Sequence, residues 1–351
     1  MKQKISVVVA TRNDNYGGTL VHRFTNFLKQ FEYIQKSFPN LFELVVVDWN
    51  SDPNNKKLEE IYNFKKIKNL QIIKFDNSYH KKISNGSNIP FFEYIAKNEG
   101  IKKASSKYVL TCTQDIIFSK KLLKTLNDSN LSDDFFYRVD RIDFDLKNNF
   151  KISNDLLLNE IFFNKNITSI QSRQNFFITI FNSLSKKFIK KDLFYIYSTK
   201  MSYEMETKNS IVLNYKDDFL NLNKFILDLY KFLYDRFLNN NNLIYGYFLR
   251  FYSLILFRSS KLKYIHNLCS GDFILTNKNN FINSKIFITK IGPQLHIDTL
   301  GVFQLFKHGI GQIIFNNGNV IYHQNHQTDD INIRNSYHSS IMMNDLFKLI
   351  F

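Results

Sequence analysis

The chain has 351 residues, 44% of them hydrophobic, which excludes a disordered polymer and allows one large or two medium domains around a buried core. Its 47 Lys and Arg against 31 Asp and Glu leave +16, a field that draws polyanions; the lysines are scattered in short pairs such as Lys65-Lys66 and Lys186-Lys187 and form no single nucleic-acid-binding arm. Two cysteines, Cys112 and Cys269, give neither a disulfide framework nor metal-ligand spacing and suit a reducing cytosol. The first residues enter a β-like run without the basic and long apolar regions of a signal peptide, and no apolar stretch approaches the roughly 20 residues of a spanning helix. The expected location is therefore cytoplasmic.

Residues 1–150 read as alternating strands and helices, the pattern of a mainly parallel α/β sheet. A first strand spans 5–10, and a polar, glycine-containing loop follows over 11–18. A helix over 20–37 carries Phe24, Phe27, Leu28, Phe31 and Ile34 at helical spacing. The Val-rich run 42–48 is a strand covered on both faces. The pattern then predicts a short helix over 56–64, a strand over 70–75, a polar loop over 77–89, a helix over 91–104 and a strand over 108–113. Residues 151–263 differ: aromatic-rich helical patterns at 225–237 and 243–257, broken by Asn239 to Asn242, suggest a helical insertion. Residues 264–351 return to short elements, with a helix over 298–308, strands over 309–322 and an amphipathic helix in the tail after 328.

Open α/β sheets bind ligands beyond the carboxyl ends of their strands, where the strand order reverses. Three polar clusters fall there: Thr11-Arg12-Asn13-Asp14, Asp48-Trp49-Asn50-Ser51 and Gln114-Asp115. Each alone is ordinary loop chemistry; together they outline a site.

The runs Val-Val-Val-Ala-Thr-Arg-Asn-Asp (7–14), Leu-Val-Val-Val-Asp-Trp-Asn-Ser (44–51), Asn-Glu-Gly-Ile-Lys-Lys-Ala (98–104) and Tyr-Val-Leu-Thr-Cys-Thr-Gln-Asp (108–115) together resemble family 2-type GT-A glycosyltransferases. The first loop, Arg-Asn-Asp-Asn-Tyr-Gly-Gly (12–18), is similar to a bacterial branch of them. The resemblance covers about 4–145 and 266–326 and leaves out the middle. It implies a GT-A (Rossmann-like) mixed, mainly parallel sheet flanked by helices, and an enzyme that moves a sugar from a nucleotide-sugar donor to a glycan or lipid-linked acceptor. Thr11, Arg12, Asn13, Asn98 and Gln114 would line the donor site, and Asp48 would accept a base N–H. Asp115 stands where the last acid of a DXD motif holds Mn²⁺ or Mg²⁺ on the donor diphosphate. Here the motif reads Thr113-Gln114-Asp115, so the first acid is missing, and His323 or His326 is the candidate to complete the metal site. Asp298 would be the general base of an inverting transfer. Gly271, Asp272 and His296 would shape the acceptor side.

Structural alternatives stand beside these roles. Asp115 could cap a helix starting near Phe118, and Asp298 could cap its own helix. The late histidines could be ordinary surface or core residues. Arg138 and Arg141 could grip a diphosphate or pair with Asp140 and Asp143. Lys97, Lys102 and Lys103 read as a solvated helix face, and Ser78-Tyr79-His80 as a loop reaching the donor sugar. The basic, aromatic stretch 243–263 reads either as core or as peripheral contact with an anionic membrane at its inner face. The competing function is a degenerate GT-A-like protein that binds nucleotide or carbohydrate without turnover. A nucleotidyltransferase would want a fuller glycine-rich loop than Tyr16-Gly17-Gly18, and no nucleic-acid-binding signature is present.

Overall fold

The computed structural model describes residues 4–84, 86, 88–145, 167–171, 266, 269–287 and 297–326. The elements that position the site begin with β1 (Ile5–Thr11), α1 (Leu20–Ser37), β2 (Phe42–Trp49), α2 (Leu58–Ile61) and β3 (Leu70–Phe75). Then come α3 (Asn77–Ser84), α4 (Glu93–Lys103), β4 (Tyr108–Thr111), β5 (Ile116–Phe118) and α5 (Lys120–Asp128). The series closes with β6 (Phe135–Phe144), β7 (Ile167–Gln171), β8 (Ile274–Asn277), α6 (Lys278–Asn283), α7 (Ile297–Lys307) and β9 (Gly311–Gln324).

All nine strands join one mixed sheet in the order β3-β2-β1-β4-β8-β6-β9-β5, with β7 alongside β6. The strands β3, β2, β1 and β4 are parallel, β8 runs against β4, and β6 and β9 are parallel to each other. This is the expected mixed, mainly parallel sheet flanked by helices. Because β1 pairs with β2 on one side and β4 on the other, the strand order reverses at β1, the place where open α/β sheets bind ligands beyond the strands' carboxyl ends.

The Val-rich runs form strands because both of their faces are covered. Val7, Val9, Leu44 and Val46 point into a core shared with Phe24, Phe27 and Phe31 of α1 and Leu122, Leu123 and Leu126 of α5. Val8 and Val45 point the other way, toward Ile101 of α4, Phe281 of α6 and Leu300 of α7. Gly100 lets α4 lie directly on the sheet: a Cβ there would sit 2.5 Å from Val8 Cγ1 and 2.8 Å from Val47 Cγ2.

Two expectations change. Residues 77–84 of the polar loop form α3, anchored by His80, whose Nδ1 accepts a bond from the buried Trp49 indole at 3.0 Å and whose ring stacks on Phe92. His80 is thus a core residue. Residues 116–118 are strand β5 pairing with β9, and Ser119 caps the helix that follows, so Asp115 caps nothing. Within the expected insertion, Ile167–Gln171 is a strand beside β6; its other residues, the stretch 243–263 and the tail helix lie outside the described residues. No described helix is long and apolar enough to cross a membrane.

Candidate active site

Strand direction gathers the chemistry at one edge. β1, β2 and β4 end there with Thr11, Asp48 and the Gln114-Asp115 turn. β8 is antiparallel to β4 with Ile274 opposite Thr111, so the turn Ser270–Asp272 that precedes β8 arrives at the same edge. β9 brings His323 opposite both Ile116 of β5 and Asp143 of β6.

The centre is Asp115, fully buried. Its Oδ2 meets Arg23 Nη1 of α1 at 2.5 Å, His326 Nε2 at 3.5 Å and His323 Nε2 at 3.6 Å. Burial alone would raise its carboxyl, but His323 and Arg23 overcome this and hold it far below the ordinary carboxylate range. Burial would likewise lower His323, yet Asp115 and Asp143 lift it to about 10, so without a cation it is an imidazolium. Arg23 is fixed by donating to the Thr19 hydroxyl and the Tyr16 carbonyl. Gln324 sits beneath, donating to the carbonyls of Arg23 and Asp115 and accepting from Asn26.

One ligand atom each from Asp115, His323 and His326 lies within 4.8 Å of the others, the only such group of three among the described residues. Asp115 Oδ1 is buried without a hydrogen-bond partner, which leaves an acceptor available to a cation. One carboxylate with two imidazoles turns the set away from Mg²⁺, which takes oxygen, toward Mn²⁺ and later first-row divalent ions. Such an ion would displace the His323 proton. The residues present therefore fit Mn²⁺, one of the two ions that the resemblance implied, better than Mg²⁺, and the two late histidines stand together at Asp115.

Asp48, at the end of β2, is buried, and burial raises its carboxyl; the Ser51 hydroxyl donates to its Oδ1. Thr11 is buried at the end of β1, and Gln114 is buried beside Asp115. Arg12 pairs with Asp14 at 3.2 Å, and its buried Nη1 makes no hydrogen bond. Asn13 is otherwise occupied: its amide donates to the Asp52 and Lys56 carbonyls and accepts from the Asp52 N–H, tying the first loop to the second. Asn98 donates to the Phe287 carbonyl and holds α4 against the segment after α6. Both asparagines hold backbone in place.

The acceptor-side residues also converge. Asp298, in the first turn of α7, accepts the Gly271 N–H at 2.6 Å and the hydroxyl of the buried Tyr94. It therefore bonds across to the β8 turn, beyond its own helix. A Cβ on Gly271 would lie 3.1 Å from Tyr94 Oη and 3.4 Å from Asp298 Oδ2, so glycine allows this approach. Asp272 accepts from Thr113 at 2.9 Å and from Arg141. His296 lies outside the described residues.

No family model matches the sequence, and no curated protein matches it. Among solved structures the chain is similar to S. aureus TarS 1-349, with a TM-score of 0.45 and 13% identity over 92% of this chain and 60% of that one. It is similar also to S. aureus TarS 1-349 in complex with UDP, with a TM-score of 0.44 and 14% identity over 92% and 61%. The chain thus spans about three-fifths of the length of those two.

Several residues take places that the sequence did not announce. Lys97, read as part of a solvated face, is fully buried; it pairs with Glu93 at 2.6 Å and donates to the Gly271 carbonyl at 3.0 Å. Lys102 stays exposed as expected. Arg138 is a buried bracket for the β8 turn, donating to the carbonyls of His266, Ser270 and Phe273. Arg141 pairs with Asp143 at 2.9 Å and with Asp272, so neither arginine is set out for a diphosphate. Arg23 and Asn26 of α1 also join the site, through partners that lie far along the chain. The one available signal was an arginine inside an otherwise aromatic helical stripe.

Proposed function

We propose that this protein is a nucleotide-sugar-dependent glycosyltransferase, acting on a glycan or lipid-linked acceptor. The observation that carries the reading is the Asp115–His323–His326 group, a buried carboxylate between two half-buried imidazoles, at the edge where the parallel strands end. In this reading Thr11, Arg12, Asp48 and Gln114 bind the nucleoside end, with ionised Asp48 accepting a base N–H through the oxygen that Ser51 leaves open. A divalent ion held by Asp115, His323 and His326 would neutralise charge on the departing diphosphate. Asp298, oriented by the Gly271 N–H and Tyr94, takes the proton of the acceptor hydroxyl in an inverting displacement. Gly271 and Asp272 shape the acceptor side.

One observation favours a second reading. Arg23 already neutralises Asp115 at 2.5 Å, so the cluster could bind a nucleotide diphosphate through its own cations, without a metal and without turnover. Thermal melting with UDP, GDP and their sugars, with and without Mn²⁺, separates the two. Stabilisation by a nucleotide that requires Mn²⁺, together with release of the nucleotide diphosphate from its sugar, supports the transferase. Stabilisation indifferent to chelator, with no release, supports the binding protein. No stabilisation by any nucleotide rejects both.

A further inference from the structure

Asp143 took no part in the site as read from the sequence. It lies on β6, directly opposite His323 of β9 in the parallel register, and is buried. Its Oδ1 is 3.1 Å from His323 Nδ1, while His323 Nε2 faces Asp115. A carboxylate only accepts hydrogen bonds, so this contact places the imidazole proton on Nδ1. The remaining lone pair of the neutral ring is then on Nε2, directed at Asp115 and His326. Arg141 holds Asp143 in turn, with Nε at 2.9 Å from Oδ1, and its other end is tied to Asp272. The side chain that orients His323 is therefore itself ion-paired to a guanidinium that is anchored at its other end.

We propose that Asp143 is the positioning residue of the cation site: it fixes the tautomer and ring plane of His323, and so sets the affinity for a divalent ion. The proposal rests on the metal arm of the transferase reading. Carboxylate partners of metal-bound histidines typically tune affinity by about 10- to 100-fold. A structural ion pair alone would change stability and leave affinity untouched.

The test is calorimetric titration of the chelator-treated full chain with MnCl₂. Asp143→Asn keeps an acceptor oxygen and is expected to weaken Mn²⁺ about tenfold; Asp143→Ala removes it and is expected to approach a 100-fold loss. Should either variant fail to fold, the unsubstituted protein still decides, by side-chain NMR of ¹⁵N-histidine-labelled protein loaded with Zn²⁺. His323 should then carry its proton on Nδ1 and bind the metal through Nε2. Equal Mn²⁺ affinity in folded variants, or the opposite tautomer, overturns the proposal while leaving the metal site standing. Absence of Mn²⁺ binding in the unsubstituted protein removes the metal arm and this proposal with it.

Discussion

Replacing Asp115 with Asn separates the two roles this carboxylate carries. Its partner Arg23 is buried to the same degree, at 1% side-chain exposure against 4% for Asp115. Breaking one side of a buried pair typically costs about 3–5 kcal/mol, because the remaining charge is left uncompensated. Arg23 keeps its bonds to Thr19 and Tyr16, which places the expected loss near the lower end, about 3 kcal/mol. At roughly 2 °C per kcal/mol for a large domain, the melting temperature should fall by about 6 °C. Mn²⁺ at 100 times its Kd should stabilise the unsubstituted protein by about 2.7 kcal/mol and the variant not at all. The paired variant Arg23→Met with Asp115→Leu buries no charge and should regain most of the lost stability, but it should not regain the response to Mn²⁺. Differential scanning fluorimetry of the three proteins with Mn²⁺ or EDTA reads both quantities. A response to Mn²⁺ that survives in Asp115→Asn would refute the metal assignment. A double variant no more stable than Asp115→Asn would refute the charge argument.

Further outcomes follow from other parts of the site. Asp48 accepts a base N–H only when ionised, and burial raises its carboxyl; nucleotide affinity should therefore fall on acidification at a higher pH than the usual Asp value of about 3.9 implies. Binding titrations across pH check this, and a midpoint at or below that value contradicts it. Asp298→Asn should lower turnover about 10²- to 10⁴-fold while leaving the nucleotide-induced melting shift intact; unchanged turnover removes Asp298 as the base. Gly100→Ala should destabilise by about 1–3 kcal/mol through its collision with Val8 and Val47, read as a lower urea midpoint at constant slope.

The parts of the fold legible in the sequence are those where one local pattern decides. The strands β1, β2 and β3 and the helices α1 and α7 fall within a residue or two of expectation, because doubly covered strands read as Val-rich runs and α1 shows its aromatic stripe. α3 escaped because Asn77-Ser-Tyr-His-Lys-Lys reads as loop by composition, and its burial depends on the remote Trp49 and Phe92. β5 has three residues and exists only through its pairing with β9. The site divides in the same way. Asp115 and Asp48 were legible as acids at strand ends. Arg23 and Asp143 were not, since each gains its role from a partner 92 or 180 residues away. The partners of Asn13 and Asn98 were hidden for the converse reason: an amide in a loop or on a helix face looks available, and here each donates to backbone carbonyls.

The Arg23–Asp115 pair has a consequence in time. A chain emerging from the ribosome delivers Arg23 before Asp115, whereas Gln324, which bonds to the Asp115 backbone between the two histidines, follows 209 residues later. Throughout that interval β5 has no β9 to pair with, and a carboxylate at the head of β5 would have to stay in water or enter the core alone. Arg23 is the counter-ion already at hand. The acid and its first counter-ion thus both come from the first 115 residues, and the two histidines from residues 323–326.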